Sequence, residues 1–166
     1  IYTLSLHDAL PIFGALITMY IKTKLDVSGN MASGYLIFIS ILLHNLPEGL
    51  AIGSSFMSTE SLGITLAIVI GLHNIPEGLA MALGLVCNKM KLSKVILFTV
   101  IAGLPMGLGS FLGVYFGGVF TSLIGVFLAT AGGTMMYVVL EEIFPHSKSV
   151  YCIIGFLLGT MIVNYI

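Results

Sequence analysis

Long apolar stretches separated by short polar segments constrain this chain more than any other feature of its sequence. Hydrophobic residues make up 58% of the chain and charged residues only 8%, whereas a soluble domain carries about 25% charged residues. A helix needs roughly 20 apolar residues to cross a bilayer. We therefore expect an all-α, polytopic transmembrane helix bundle embedded in the lipid bilayer. About five full spans are predicted, at residues 34–57, 62–87, 94–120, 121–144 and 150–166.

The beginning of the chain fits this pattern less well. Residues 13–21 are apolar but too few to span a bilayer, so they are predicted to be a partial N-terminal span, followed by a polar loop at 22–33. Residues 1–12 are short and polar, and the string at 4–12 resembles a translated sequencing-library adapter. We expect residues 1–12 to be a non-native leader and residues 13–166 to form one partial transmembrane domain.

The lysines predict how the spans are oriented. If the spans alternate in direction, the loops at 22–33, 88–94 and 146–149 lie on one face, and every lysine lies in or beside them. The positive-inside rule then makes this face cytoplasmic. Nucleic-acid binding is not expected, because the basic residues form no stripe. The six lysines are Lys22, Lys24, Lys89, Lys91, Lys94 and Lys148.

Glycines four residues apart predict close helix packing, because small residues at this spacing let two backbones approach each other in lipid. The pairs are Gly49 with Gly53, Gly103 with Gly107, Gly109 with Gly113, and Gly155 with Gly159.

A repeated motif carries the chemistry. His-Asn-Leu-Pro-Glu-Gly-Leu-Ala at 44–51 returns as His-Asn-Ile-Pro-Glu-Gly-Leu-Ala at 73–80, each time near the middle of an apolar stretch. The His and the Glu of each copy are four apart and share one face of a helix. The proline of each copy frees the carbonyl four residues earlier, at Leu43 and Leu72. Ionisable side chains so deep in apolar sequence are costly and indicate function.

Two such helices running antiparallel bring their motifs together near the centre of the bilayer. Two imidazoles and two carboxylates suit zinc, iron(II) or another borderline divalent ion. The residues alone therefore predict a divalent-metal site in a membrane, and a water path lined by uncoordinated carboxylates is the alternative. The ligands are predicted to be His44, Glu48, His73 and Glu77, with amide oxygens from Asn45 and Asn74 nearby.

The two motifs resemble the fourth and fifth transmembrane helices of the ZIP (Zrt/Irt-like protein) metal transporter family. Residues 102–107 are similar to that family's sixth helix, and residues 131–137 with Glu141 and Glu142 resemble its seventh. The resemblance implies an eight-span fold with both termini outside the cytoplasm. It also implies import of a divalent metal toward the cytoplasm, through a site between the fourth and fifth helices.

The resemblance also assigns residues to metal positions. It places His44, Glu48, His73 and Glu77 at one position, and Asn45, Glu48, Asn74 and Glu77 at a second, with the glutamates bridging. Glu141 and Glu142 map near the cytoplasmic exit.

Three departures from the family pattern carry expectations of their own. The first two spans and most of the third are missing, so the chain is expected to be a truncated copy. The loop after Lys22 lacks the histidine-rich stretch of many members. Leu104 stands where many members have a glutamate, so one firmly bound ion is predicted, and Leu104→Glu is expected to raise occupancy of the second position.

The function expected from this resemblance is transport of zinc, with iron, manganese or cadmium as other substrates, and no enzymatic activity. A membrane-embedded metallohydrolase is one alternative, but it needs an activated water, and the His-Glu-x-x-His order of zincins is not the order found here. A non-transporting metal-binding fragment is another alternative. The oligomeric state stays open, and a homodimer is one of the states considered.

Overall fold

A computed structural model of the chain describes residues 6–24, 31–120 and 123–165. Within these residues the chain forms helices and turns and contains no strand, so the predicted all-α fold is confirmed. Residues 1–5 of the predicted leader and 25–30 of the predicted polar loop lie outside the described ranges. The helices are α1 (Leu6–Lys24), α2 (Met31–Ser58), α3 (Glu60–Cys87), α4 (Leu92–Tyr115), α5 (Gly117–Phe120), α6 (Ile124–Val138) and α7 (Ser149–Tyr165).

Four of the described helical segments are long and apolar enough to cross a membrane, and they make the chain a transmembrane bundle. The fifth predicted span, α7, is shorter: its 17 residues reach about 25 Å, less than the roughly 30 Å of a hydrocarbon core. Within the described residues, four segments therefore meet the length of a full span and α7 adds a shorter apolar helix. The four segments are Gly34–Ser58, Glu60–Cys87, Leu92–Tyr115 and Ile124–Glu141.

The first helix begins earlier than its apolar pattern suggested. α1 starts at Leu6 and continues through Pro11, so the predicted partial span at 13–21 is only the second part of a 19-residue helix. It packs closely against α6. A side chain added at Gly14 of α1 would meet the backbone of Thr130, and one added at Gly133 of α6 would meet the backbone of Pro11. Whether residues 1–12 are native stays a prediction.

Helix α2 lies at the centre of the bundle and packs against α3, α4 and α6. Its contact with α4 is made by two of the four predicted glycine pairs. A side chain on Gly49 or Gly53 would meet the backbone of α4, and a side chain on Gly109 or Gly113 would meet the backbone of α2. Added side chains at the other two pairs, 103 with 107 and 155 with 159, would meet open space. Glycine spacing therefore predicted close packing only where a neighbouring helix faces it.

A single residue, Thr59, separates α2 from α3. Its hydroxyl accepts a hydrogen bond from the Leu62 amide at 3.3 Å and caps the new helix. The neighbouring serines do not cap it, because Ser58 is the last residue of α2 and Ser61 already lies inside α3.

Described segments that carry lysines lie at one end of the bundle. Lys22, in the last turn of α1, lies 3.4 Å from Glu141, which follows α6. Near the start of α2, Tyr35 lines the same cavity as Lys89 and Lys94 of the turn between α3 and α4. This end is called the lysine end below.

Candidate metal centre

Both copies of the motif lie in the interior of long helices. Pro47 lies inside α2 and Pro76 inside α3, and neither proline ends its helix. Prolines are tolerated in membrane helices, where neighbouring helices and local adjustment satisfy the freed backbone groups. Each motif therefore keeps its His and its Glu one turn apart on a continuous helix.

The four ionisable side chains converge between α2 and α3. His44 Nε2 lies 3.1 Å from one carboxylate oxygen of Glu77, and His73 Nε2 lies 2.9 Å from the other. One ligand atom from each of these three residues lies within 4.8 Å of the others, which is a spacing that one metal ion can bridge. Glu77 of α3 is thus the carboxylate that contacts both histidines most closely.

Glu48 of α2 lies slightly farther from the same point. Its carboxylate oxygens are 3.7 Å from His44 Nε2 and 3.9 Å from His73 Nε2. All four residues predicted from the twin motif are therefore brought together, as a closer group of three with Glu48 at its edge.

Most of the cluster is buried, and its polar atoms lack partners. Among the described residues, the buried side-chain atoms without a hydrogen bond are both ring nitrogens of His44, both carboxylate oxygens of Glu77, one oxygen of Glu48 and the Asn45 amide oxygen. Buried polar groups are normally paired, and each that is not costs free energy. A divalent cation held by these nitrogen and oxygen donors would satisfy them, and the donor set suits one.

The cluster is closed on one side and open on the other. The His44 side chain is 0% exposed and the two carboxylate side chains are below 10%, whereas the His73 side chain is 47% exposed. An ion at this position would therefore reach the outside of the described bundle past His73.

The two asparagines face α4 in the structure. Asn45 donates a hydrogen bond from Nδ2 to the Ala102 carbonyl at 2.7 Å, and Asn74 Nδ2 lies 3.5 Å from the Met106 sulfur. The contacts described for both side chains thus lead away from the two glutamates. These contacts use the amide nitrogens, while the buried Asn45 amide oxygen makes no hydrogen bond, so the second metal position stays a prediction.

Leu104 does not occupy the position expected of it. Its side chain is 62% exposed and lines an apolar groove on the outer surface with Leu42 and Leu46. The interpretation of Leu104 as the residue facing the second position is therefore wrong. The physical reason is helical phase: the face of α4 that meets α2 carries Ala102, Gly109 and Gly113, and Leu104 points away from it.

Met106 and the Ala102 carbonyl are the neighbours of the motif that sequence reasoning missed. Their signal was present in the spacing, because residues 102, 106, 109 and 113 lie on one face of a helix.

Glu141 and Glu142 lie apart from the cluster, at the lysine end. They belong to a π-helical turn, Val139–Ile143, that continues α6. Glu141 is exposed and pairs with Lys22 at 3.4 Å, while the Glu142 side chain lies outside the described structure. π-Helical turns are rare and are frequent at functional sites, and the position near the cytoplasmic exit expected of Glu141 and Glu142 stays a prediction.

Comparison with known proteins adds one finding to this geometry. A family model described as "ZIP Zinc transporter" matches residues 18–166, a range that contains both motifs, the α4 face and the π-helical turn. No curated protein matches the chain.

Proposed function

Because the chain belongs to the ZIP zinc transporter family, we propose that it carries zinc or a similar divalent cation through the cluster of His44, Glu48, His73 and Glu77. The family consists of divalent-metal transporters that are integral to the membrane, and the chain is a member of it. The ligand set, the preferred metal and the direction of movement are our proposal. The observation that carries it is the convergence of two imidazoles and two carboxylates between α2 and α3.

The composition of the cluster supports binding of a borderline divalent ion. Imidazole nitrogens favour zinc, iron and related ions over magnesium and calcium. Two buried carboxylates offset the double charge of the ion, which would otherwise make a site among apolar helices costly. Glu77 contacts both histidines, so an ion would replace contacts within the cluster rather than hydrogen bonds to other parts of the bundle.

The difference in exposure supports an assignment of roles within the cluster. His44, Glu48 and Glu77 form a buried wall that replaces the water around the ion. His73 is half exposed and contacts the ion position from the open side, so we assign it the exchange of the ion with its surroundings. Glu77 contacts both histidines and is assigned the central ligand.

We further propose that the lysine end faces the cytoplasm and that the ion moves toward it. The support is that Lys22, Lys89 and Lys94 lie at one end of the described bundle, which the positive-inside rule relates to the cytoplasm. Cysteine labelling of Lys91→Cys and Ser61→Cys, each in a background without Cys87 and Cys152, tests this orientation. The two sites should react from opposite sides of the membrane, and equal reactivity from one side would contradict it.

Transport rather than hydrolysis is the activity proposed for the cluster. The chain should move zinc into sealed vesicles that contain a zinc-sensitive dye, and Glu77→Ala should nearly abolish this uptake. Glu60→Ala is the matched control, because Glu60 is an exposed glutamate on the same helix. Full uptake by the Glu77 variant would contradict the proposed site.

Binding separates the remaining alternatives. If the purified chain binds zinc but does not transport it, while a version with a complete upstream reading frame does, the non-transporting fragment is the correct interpretation. Release of a hydrolysis product without metal uptake would support the metallohydrolase.

A further inference from the structure

A cavity of about 440 Å³ lies at the lysine end, where α3 turns into α4, away from the metal cluster. Basic and aromatic side chains dominate its lining. Three lysines and an asparagine come from the turn and the start of α4, and two aromatic rings come from α2 and α4. These residues are Asn88, Lys89, Lys91, Lys94, Tyr35 and Phe98.

The charge of this cavity is positive and uncompensated within the described part of the chain. Its lining contains no acidic residue, and no described ion pair joins Lys89, Lys91 or Lys94 to a carboxylate. The Asn88 side chain is already committed, since its Nδ2 donates to the Gly84 carbonyl at 2.7 Å. The cavity therefore offers three ammonium groups to an anion from outside.

The start of α4 adds to the positive potential. Lys91 occupies the N-cap of this 24-residue helix, makes no capping hydrogen bond, and is followed by no acidic residue in the first turn. The start of α3 differs, since Thr59 caps it and Glu60 lies in its first turn. Lysines at the positive end of a helix dipole are unfavourable on their own, and an anion bound there removes that cost.

The position of the cavity identifies the kind of anion. It lies where two apolar spans end, at Cys87 and Leu92, which is the level of the lipid headgroups. Its floor is apolar: the rings of Tyr35 and Phe98 pack edge to face with centroids 5.7 Å apart, and tyrosine is enriched at this level of membranes. Basic pockets between membrane helices are suited to anionic headgroups.

We propose that this cavity binds the phosphate headgroup of an anionic phospholipid, with Lys91 and Lys94 as its main partners. This site is independent of the metal cluster and of the transport activity. Lys89 lines the same cavity as these two lysines, so one phosphate can meet several ammonium donors at once.

Native mass spectrometry of the complete chain in detergent tests the proposal. The chain is mixed with equal amounts of phosphatidylglycerol and phosphatidylcholine, and the bound lipids are counted. One phosphatidylglycerol should remain bound preferentially. Lys91→Gln with Lys94→Gln should weaken its binding by roughly 10- to 100-fold.

The matched control removes the same charge elsewhere at the same end. Lys24→Gln with Lys148→Gln should change phosphatidylglycerol binding by less than about threefold, because neither residue lines the cavity. Equal losses in both double variants would show only general attraction to an anionic surface and would overturn the proposal. Equal binding of phosphatidylcholine would overturn it as well. Complete displacement of the lipid by millimolar glycerol phosphate would identify a soluble phosphate as the ligand instead.

Discussion

The two copies of the motif are nearly identical in sequence but differ in their surroundings. The copy on α2 is enclosed, because α2 packs against α3, α4 and α6, and half of its most apolar stretch (50%) is buried within the described bundle. The copy on α3 has α2 as its main neighbour, and only 17% of the corresponding stretch is buried. The same motif therefore contains a buried histidine in α2, His44, and a half-exposed histidine in α3, His73.

This difference shows that the motif specifies the placement of the His and the Glu on the helix but not their accessibility. Helical spacing places a His and a Glu on one face in both copies. Which ligand is enclosed and which is open depends on the helices that pack around each copy. Variants at matched positions of the two motifs can therefore separate the contribution of the residue type from the effect of the helices packed around it.

The largest difference is expected between the two glutamates. Glu77→Ala should lower zinc affinity by roughly 100- to 1000-fold, because its carboxylate contacts both histidines and its loss leaves the buried His44 without its carboxylate partner. Glu48→Ala should cost roughly tenfold less affinity, since its oxygens lie 3.7 Å and 3.9 Å from the histidine nitrogens. Both variants should nearly abolish transport. Calorimetric zinc titration of the purified variants measures the ranking, and a larger loss for Glu48→Ala would reverse it.

The two histidines should differ in their effect on stability. His44→Ala should lower the free energy of unfolding by about 2–4 kcal/mol, because it opens a buried cavity and removes the partner of Glu77. His73→Ala should change it by less than about 1 kcal/mol, since half of the side chain is already exposed. Both should weaken zinc binding, and His44→Ala should also shift the preference among metals, because imidazole is the borderline-soft ligand. Thermal unfolding in metal-free detergent checks this, and equal melting temperatures would refute the difference.

A smaller difference is expected at the glycines that end the two motifs. Gly49→Ala should destabilise the bundle by about 1–3 kcal/mol, because the added methyl group would meet the backbone of Met106. Gly78→Ala should be neutral or stabilise by up to about 1 kcal/mol, since its methyl group would meet only Thr99 Cγ2, at 3.9 Å. Unfolding of both variants under one set of conditions decides the matter. Equal destabilisation would show that the α2–α4 contact is less tight than described.

The smallest effect concerns the residues of α4 near the motifs. Met106→Leu removes the sulfur beside Asn74 and should change the ratio of cadmium to zinc affinity by about threefold, because thioethers favour softer metals. Leu104→Met adds a sulfur on the outer face and should leave that ratio unchanged. Competition between the two metals measures it, and an effect of Leu104→Met equal to that of Met106→Leu would restore Leu104 to the site.

Much of the fold and the convergence of the four ionisable side chains could be predicted because each follows from local spacing. Apolar length predicted the long helices, and the i, i+4 repeat predicted that His44, Glu48, His73 and Glu77 converge. What failed depended on three-dimensional neighbours. The outward position of Leu104 follows from the phase of α4 against α2, and the open side of His73 follows from which helices flank α3. A motif two turns long specifies neither how α4 is rotated against α2 nor which helices flank α3.

The central claim is that the two motifs build one metal site from both helices. X-ray absorption spectroscopy of the zinc-loaded chain, combined with metal counting, tests it most directly. We expect one zinc per chain, with two imidazole nitrogens at about 2.0–2.1 Å and carboxylate oxygens completing the shell. A single imidazole, a thiolate ligand from Cys87 or Cys152, or two fully occupied zinc ions would contradict the claim.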